Sequence, residues 1–300
     1  MTVGVIGLGL IGGSLVRALH AYTEETVLGF DRDAAVVARA KADGVIQDGA
    51  VLDAAAEPDE RACALIARAD VLLVALYPGA AIAALTRVAG SIRPGALVVD
   101  CCGVKRPVCA ALEPLAAAHG FTFIGGHPMA GLERFGYENG RADLFLGASM
   151  ILTPADGTPP EQLCRAETLF AALGFSRMRR CSPDEHDRMI AYTSQLAHIV
   201  SSAYVQSDAS LEHIGFSAGS FQDMTRVARL YEPMWVELFL DNPEPLLVEL
   251  NGLIARLQQF SAAIAAADRE RLFSLLHAGR VRRERISEEE RRAREEQTHE

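Results

Sequence analysis

Residues 125–131 read Gly-Gly-His-Pro-Met-Ala-Gly. The histidine, His127, follows an apolar run (Phe121, Phe123, Ile124), so it is predicted at the end of a strand. Glycines leave room on both sides of it, and Pro128 removes a backbone donor and fixes the turn. In an α/β domain, strand ends near the switch point are where ligands bind. An imidazole delivered there is a candidate general base, because it changes charge near neutral pH. A turn-capping histidine is the other reading of the same residues.

A second pattern stands near the beginning of the chain. Gly7-Leu8-Gly9-Leu10-Ile11-Gly12 fits G-x-G-x-x-G, with an apolar strand (Val3–Ile6) before it and a helical pattern (Leu15, Val16, Ala18, Leu19) after it. Gly7 permits the tight turn, Gly9 lets a pyrophosphate approach the backbone, and Gly12 lets the helix pack on the strand. Leu10 and Ile11 open that helix, whose N-terminus faces the phosphates. The next strand ends in Gly29-Phe30-Asp31, and Asp31 lies nineteen residues after Gly12, where a carboxylate binds ribose hydroxyls. These residues predict dinucleotide binding. Asp31 would repel a 2′-phosphate, which favours NAD. Arg32 beside it could receive that phosphate, which keeps NADP as the second choice.

The elements that must position these residues follow from periodicity. Strands are predicted at Val3–Ile6, Val27–Phe30, Val71–Leu76, Leu97–Val99, Phe121–Ile124 and Ser149–Leu152, alternating with Ala-rich helical segments. That alternation implies βαβ units and a parallel, doubly wound, Rossmann-type sheet. A turn-rich stretch, residues 153–160, precedes a further helix and short strand. From Ser182 the pattern is helical: Ser182 caps, Pro183 suits the first turn, and acidic residues follow. One helix is expected to about Val205, with Met189, Ile190, Thr193, Leu196, Ala197, Val200 and Tyr204 as its apolar stripe. Asn242-Pro243 and Asp268 each suit the start of another helix. The fold class expected is therefore α/β, with a Rossmann-like domain over 1–181, an all-α substrate and dimerisation domain over 182–280, and a charged tail over 281–300. The tail is mostly Arg and Glu, with Glu288–Arg292 and Glu290–Arg294 at i,i+4, and reads as a solvated helix.

Composition narrows the function classes. The chain has 300 residues and a net charge of -10, which argues against a nucleic-acid binder and against docking on anionic lipid. No apolar run is long enough for a membrane span, and no signal peptide is expected, so the cytoplasm is the expected compartment. The six cysteines show no Cys-x-x-Cys pair and no zinc spacing, so reduced thiols and no metal site are expected.

Five elements occur in order: the glycine loop; Asp100-Cys101-Cys102-Gly103-Val104-Lys105; Gly126-His127-Pro128-Met129-Ala130-Gly131 with Glu133; the segment from Asp184-Glu185-His186-Asp187 to His198; and Thr225-Arg226-Val227-Ala228. In this order the chain resembles the prephenate and arogenate dehydrogenase family of tyrosine biosynthesis, over about residues 1–280. The resemblance implies an NAD-dependent oxidative decarboxylation without a metal. Hydride leaves the carbinol carbon of prephenate, the ring carboxylate leaves as CO2, and aromatisation to 4-hydroxyphenylpyruvate drives the step. It implies that His127 accepts the hydrogen bond or proton of the ring hydroxyl, that Arg226 grips a substrate carboxylate, and that His198 contacts the substrate side chain or carboxylate. Ser194 and Gln195, on the same helix, join the substrate-binding set with Cys102, Gly103, Lys105 and Glu133. Lys105 is expected to add positive charge near the anionic substrate or cofactor.

Three positions depart from the family pattern. Gly103 stands where the family often has serine, so Cys102 is a weak substitute donor. Gln195 replaces a histidine, and Ala197 a proline. These leave the reaction class standing and bear on substrate preference, with prephenate favoured and arogenate the alternative. Arogenate carries an ammonium where prephenate has a keto group, so Glu133 or Glu138 could favour it. No appended regulatory domain is expected, so tyrosine feedback would act at the active site. A homodimer through the helical half is expected. Two rival readings remain. A β-hydroxyacid dehydrogenase needs a catalytic lysine, which the segment from Asp184 to Val205 lacks. A non-catalytic NAD-responsive regulator would not need His127 and Arg226 together.

Overall fold

The computed structural model describes residues 1–297. The first part of the chain runs β1 (Thr2–Ile6), α1 (Leu10–Tyr22), β2 (Thr26–Asp31), α2 (Ala34–Ala42), β3 (Asp48–Val51), α3 (Glu60–Ile66), β4 (Val71–Val74) and α4 (Pro78–Val88). It continues with β5 (Leu97–Asp100), α5 (Arg106–His119), β6 (Thr122–Pro128), β7 (Ser149–Pro154), α6 (Pro160–Ala172) and β8 (Arg177–Arg180). Every later element is helical: α7 (Pro183–Ile190), α8 (Leu196–Val205), α9 (Gly219–Thr225), α10 (Glu232–Leu240), α11 (Pro243–Ala265) and α12 (Arg269–Gln297), with short 3-10 turns between some of them. The Rossmann-type α/β fold followed by helices is thus as the sequence predicts.

The eight strands lie in the order β3-β2-β1-β4-β5-β6-β7-β8. Strand order reverses between β1 and β4, which creates the crevice at their carboxyl ends. One hydrophobic cluster covers each face. Leu15 and Leu19 of α1 pack with Phe170 of α6 on one side. Ile66 of α3, Leu85 of α4 and Leu112 of α5 pack on the other. Burial on both faces explains why the central strands are continuous apolar runs.

Three features differ from the sequence expectation. β3 was not expected: its Asp48-Gly49-Ala50-Val51 is too polar and small to read as a strand, yet it pairs with β2. The sheet is not wholly parallel, because β7 runs antiparallel to β6. The link between them holds only two 3-10 turns, Tyr137–Asn139 and Ala142–Phe145, and no crossover helix of the kind a parallel pair needs. Finally, the expected helix up to Val205 is interrupted by a π-helical turn, Ala191–Gln195.

By compactness the chain forms one unit over Met1–Leu246 and a second that begins at Leu247. In the second unit Asp268 caps α12, accepting from the Arg271 amide at 2.9 Å, and Arg271 also reaches Gln259 of α11 at 2.8 Å. Ion pairs in α12 run in the Arg-to-Glu order, Arg280 with Glu284 and Arg285 with Glu289, and not as the expected Glu288–Arg292. The Arg294 side chain and tail residues 298–300 lie outside the described residues. Among the described residues no helix is long and apolar enough to cross a membrane.

Candidate active site

The glycine loop joins β1 to α1. Gly7 has φ +86°, and a Cβ there would stand 2.6 Å from the Ala75 carbonyl oxygen, so only glycine fits. A Cβ at Gly12 would strike the Gly7 carbonyl. Gly9 differs: a Cβ there would meet nothing within 4 Å. The space above Gly9 is therefore open, and Leu10 and Ile11 begin a helix that has neither a side-chain cap nor an acidic first turn. Its free amides suit a pyrophosphate. Asp31 ends β2, and its carboxylate accepts the Leu8 amide at 2.7 Å and the Asp33 amide at 2.9 Å. This ties the ribose-binding position to the glycine loop. Arg32 follows it and is exposed. These residues fit a dinucleotide: an uncapped helix start, an open glycine and a carboxylate at the end of the second strand.

His127 lies inside β6 and pairs with Ile151 of β7, so the strand runs further than its apolar residues indicate. The preceding glycines do not open space for a ligand. A Cβ at Gly126 would strike the Asp100 carbonyl of β5, and one at Gly125 would strike Thr153 of β7. They are required because β6 is wedged between its neighbours, which fixes the His127 backbone.

Behind the imidazole stands a chain of buried partners that sequence reasoning gave no role. His127 Nδ1 lies 2.9 Å from His186 Nε2. His186 Nδ1 lies 2.6 Å from Asp187 Oδ1. Asp187 is wholly buried. It accepts the Lys105 amide at 2.7 Å and the Arg106 amide at 2.8 Å at the start of α5. Burial, then the neighbouring His186 and Lys105, hold the His127 pKa well below its ordinary 6.5. His186 is lowered too, by burial, against the pull of Asp187. Burial pushes Asp187 up, but hydrogen bonds from His186 and the Arg106 amide outweigh it and hold the carboxyl below its ordinary value.

Lys105 corrects an expectation. It is wholly buried, and its Nζ is paired with Asp100, whose carboxylate also accepts the Gly126 amide at 3.0 Å and the Cys102 amide at 2.9 Å. Burial favours the neutral amine, but Asp100 prevails and raises the Lys105 pKa. The lysine braces the loop after β5 and offers no free charge to a ligand. Gln195 is likewise buried, its amide donating to the Leu238 carbonyl at 2.7 Å and its oxygen accepting from Asn242 at 2.8 Å. The π turn brings Gln195 inward, so it joins helices and does not face a ligand. Cys102 is buried with its thiol 3.4 Å from the Leu76 carbonyl, so it does not supply the hydroxyl contact that Gly103 lacks. Gly103 itself faces Leu238, whose Cδ2 would lie 3.1 Å from a Cβ.

The remaining candidates meet on the helical side. Arg226 opens a 3-10 turn after α9 and pairs with Glu133. Both line a cleft of about 910 Å³ together with Arg134, Arg141, Thr225 and Arg229. His127 and His198 are not among its walls. His198 stacks on Trp235 with ring centroids 3.8 Å apart, and its Nδ1 lies 2.9 Å from the Ser194 carbonyl oxygen, which only accepts. Nδ1 is therefore the protonated nitrogen, and Nε2 keeps its lone pair. Burial lowers the His198 pKa, and the nearby Arg226 lowers it further. Trp235 carried no signal in the sequence, since a single tryptophan on a helix reads as core.

Comparison with known proteins identifies the family of both halves of the chain. The sequence model described as prephenate dehydrogenase, nucleotide-binding domain, matches residues 15–177, and the one described as prephenate dehydrogenase, dimerization domain, matches residues 182–278. The chain is 31% identical over 278 residues to the cyclohexadienyl dehydrogenase of Zymomonas mobilis subsp. mobilis, with 89% of each chain covered. Among solved structures, Synechocystis arogenate dehydrogenase superposes with a TM-score of 0.77 at 26% identity, covering 95% of this chain and 100% of that one. Prephenate dehydrogenase from A. aeolicus, in complex with hydroxyphenyl propionate and NAD+, gives a TM-score of 0.79 at 25% identity, covering 95% and 98%. The first match begins after the glycine loop, so that loop rests on its own geometry. With both halves matched in order and a relative at this identity aligned along most of its length, the chain belongs to the prephenate dehydrogenase family.

Proposed function

We infer that the chain is an NAD-dependent dehydrogenase that converts prephenate to 4-hydroxyphenylpyruvate by oxidative decarboxylation. NAD, when bound over Gly9 and beside Asp31, supplies the hydride acceptor. Asp31 carries negative charge where a 2′-phosphate would sit, which favours NAD over NADP.

The observation that carries the site assignment is the His127 imidazole, held neutral on a rigid strand with Nδ1 already partnered. Its Nε2 is then the atom that accepts the ring-hydroxyl proton as hydride leaves the carbinol carbon. That proton returns to the phenolic oxygen as the ring carboxylate departs, so the base ends as it began. A positioned base of this kind contributes about 10²–10⁴-fold. Arg226 exchanges Glu133 for a substrate carboxylate. A guanidinium binds a carboxylate through two parallel hydrogen bonds. His198, with Nε2 accepting and its ring on Trp235, lies beside Arg226 to meet the substrate side chain.

Prephenate is the preferred substrate; arogenate, whose ammonium would meet the Glu133 that Arg226 releases, is the alternative. We propose that residues 182–280 form the substrate and dimerisation domain of a homodimer, and that the 281–300 tail is a solvated appendage. Six free thiols suit a reducing cytoplasm.

The decisive test is NADH or NADPH formation with prephenate and with arogenate, each with NAD and with NADP. Fast turnover with prephenate and NAD is expected. Turnover confined to arogenate would overturn the substrate assignment, and silence in all four with NAD still bound would overturn the activity.

A further inference from the structure

We propose that His186 and Asp187 are positioning residues that lock His127 in one tautomer, Nδ1–H, so that Nε2 always presents its lone pair to the substrate hydroxyl. This rests on the reading of His127 as the base.

The polarity of the chain follows from its far end. Asp187 accepts the Lys105 and Arg106 amides, and two amides at a helix start keep it an ionised carboxylate. A carboxylate only accepts, so in the 2.6 Å contact His186 Nδ1 must donate. Burial keeps His186 neutral, which leaves its Nε2 as an acceptor. In the 2.9 Å contact His127 Nδ1 must then donate, and Nε2 is the bare nitrogen. With His186 neutral, this is the assignment that gives both short contacts a donor and an acceptor. The arrangement is also rigid. His127 is fixed by β6, Asp187 by α5, and the Asp187 carbonyl accepts from Asn242 at 2.8 Å, which ties α7 to the start of α11.

The proton balance defines what the pair does. The hydroxyl O–H bond breaks and a bond to Nε2 forms as hydride passes to NAD. The carbon–carbon pair of the departing carboxylate flows into the ring, and the phenoxide oxygen takes the proton back. No net proton is released, so no exit path is needed. While His127 is cationic, its Nδ1–H bond to His186 strengthens, and the Asp187 charge lies at the far end of the same chain.

The test uses the full chain labelled with 15N, reading imidazole nitrogen shifts and assigning His127 through His127→Asn. Expected in the parent chain is a protonated Nδ1 and a bare Nε2. His186→Phe removes the acceptor: the His127 tautomers should mix and kcat fall about 10²-fold, while KM for prephenate stays within about twofold. His186→Gln keeps an acceptor oxygen and should recover most of kcat. A protonated Nε2 in the parent chain overturns the proposal, and that measurement needs no variant to fold. An unchanged tautomer in His186→Phe overturns it as well. Retained turnover in His127→Asn would overturn the reading of His127 as base, whereas the tautomer result alone decides the role of His186 and Asp187.

Discussion

At the scale of single residues, the site depends on groups kept in one charge state. His127 is depressed below 6.5 by burial first and by His186 and Lys105 next. A group depressed in the folded state binds fewer protons there, so its stabilising contribution is present above 6.5 and is lost as pH falls toward the folded value. Asp187 is depressed as well and carries the same sign. The acid limb of kcat/KM should therefore lie below pH 6.5, the unperturbed histidine value, and stability should fall over the same acid range. A limb centred above that value would contradict a neutral buried base. Arg226 gives a second prediction. Its pair with Glu133 is two-thirds exposed on the arginine side, so it is worth about 0–1 kcal/mol and is readily exchanged for a substrate carboxylate. Arg226→Lys loses the two-point geometry and should raise KM for prephenate by about tenfold, roughly 1.4 kcal/mol, with kcat less affected. Steady-state kinetics on the variant separate the two constants. A fall in kcat alone would place the arginine away from the bound carboxylate.

At the scale of elements, close strand packing holds the base in place. A Cβ at Gly126 would meet the Asp100 backbone oxygen, and lie 2.7 Å from Met150 Cε and 2.8 Å from Val99 Cγ1. Two of these atoms are side-chain ends that can shift; the carbonyl is fixed in β5. Gly126→Ala should therefore cost about 2–3 kcal/mol, read from the urea midpoint, and should lower kcat because β6 carries His127. An unchanged midpoint would mean that β6 is free to slide. Much of this scale was legible beforehand. Strands buried on both faces announce themselves as apolar runs, and the glycine loop and Asp31 are short-range signals. Direction is not encoded in periodicity, so antiparallel β7 could not be read. β3 lacks apolar content and exists only because β2 offers an edge. The π turn hid a further change. An uninterrupted α-helix would place Ile190 and Ala197 on one face, but the extra residue brings Ile190, Ala191, Gln195 and Leu196 inward and leaves Met189 and Tyr204 exposed. The same register places His186 against His127, 59 positions away, a pairing no spacing rule contains.

At the scale of the whole molecule, the second unit carries apolar side chains that its own helices do not cover. Val248 and Phe273 are 69% and 71% exposed, and Leu257, Ile264 and Leu276 are more than half exposed. Single exposed apolar residues are ordinary, but this many along two helices form a surface of the kind that marks an interface. The net charge of -10 disfavours indiscriminate association and leaves a specific apolar contact as the route to assembly. A second copy of the chain is the expected occupant, since the dimerization-domain match runs to residue 278 and so includes these positions. The first expectation is a mass in light scattering twice the 32.3 kDa of one chain. The second concerns Leu257→Asp combined with Phe273→Asp. Each carboxylate would have to be buried without a partner, at several kcal/mol apiece, so the pair should shift the mass to that of a single chain at micromolar concentration. Both positions are exposed in the folded chain, so the helical circular dichroism should persist. Loss of helix with loss of mass would instead mean that these residues are needed to fold the unit. A parent chain that already runs as a monomer would remove the argument that the exposed face is an interface.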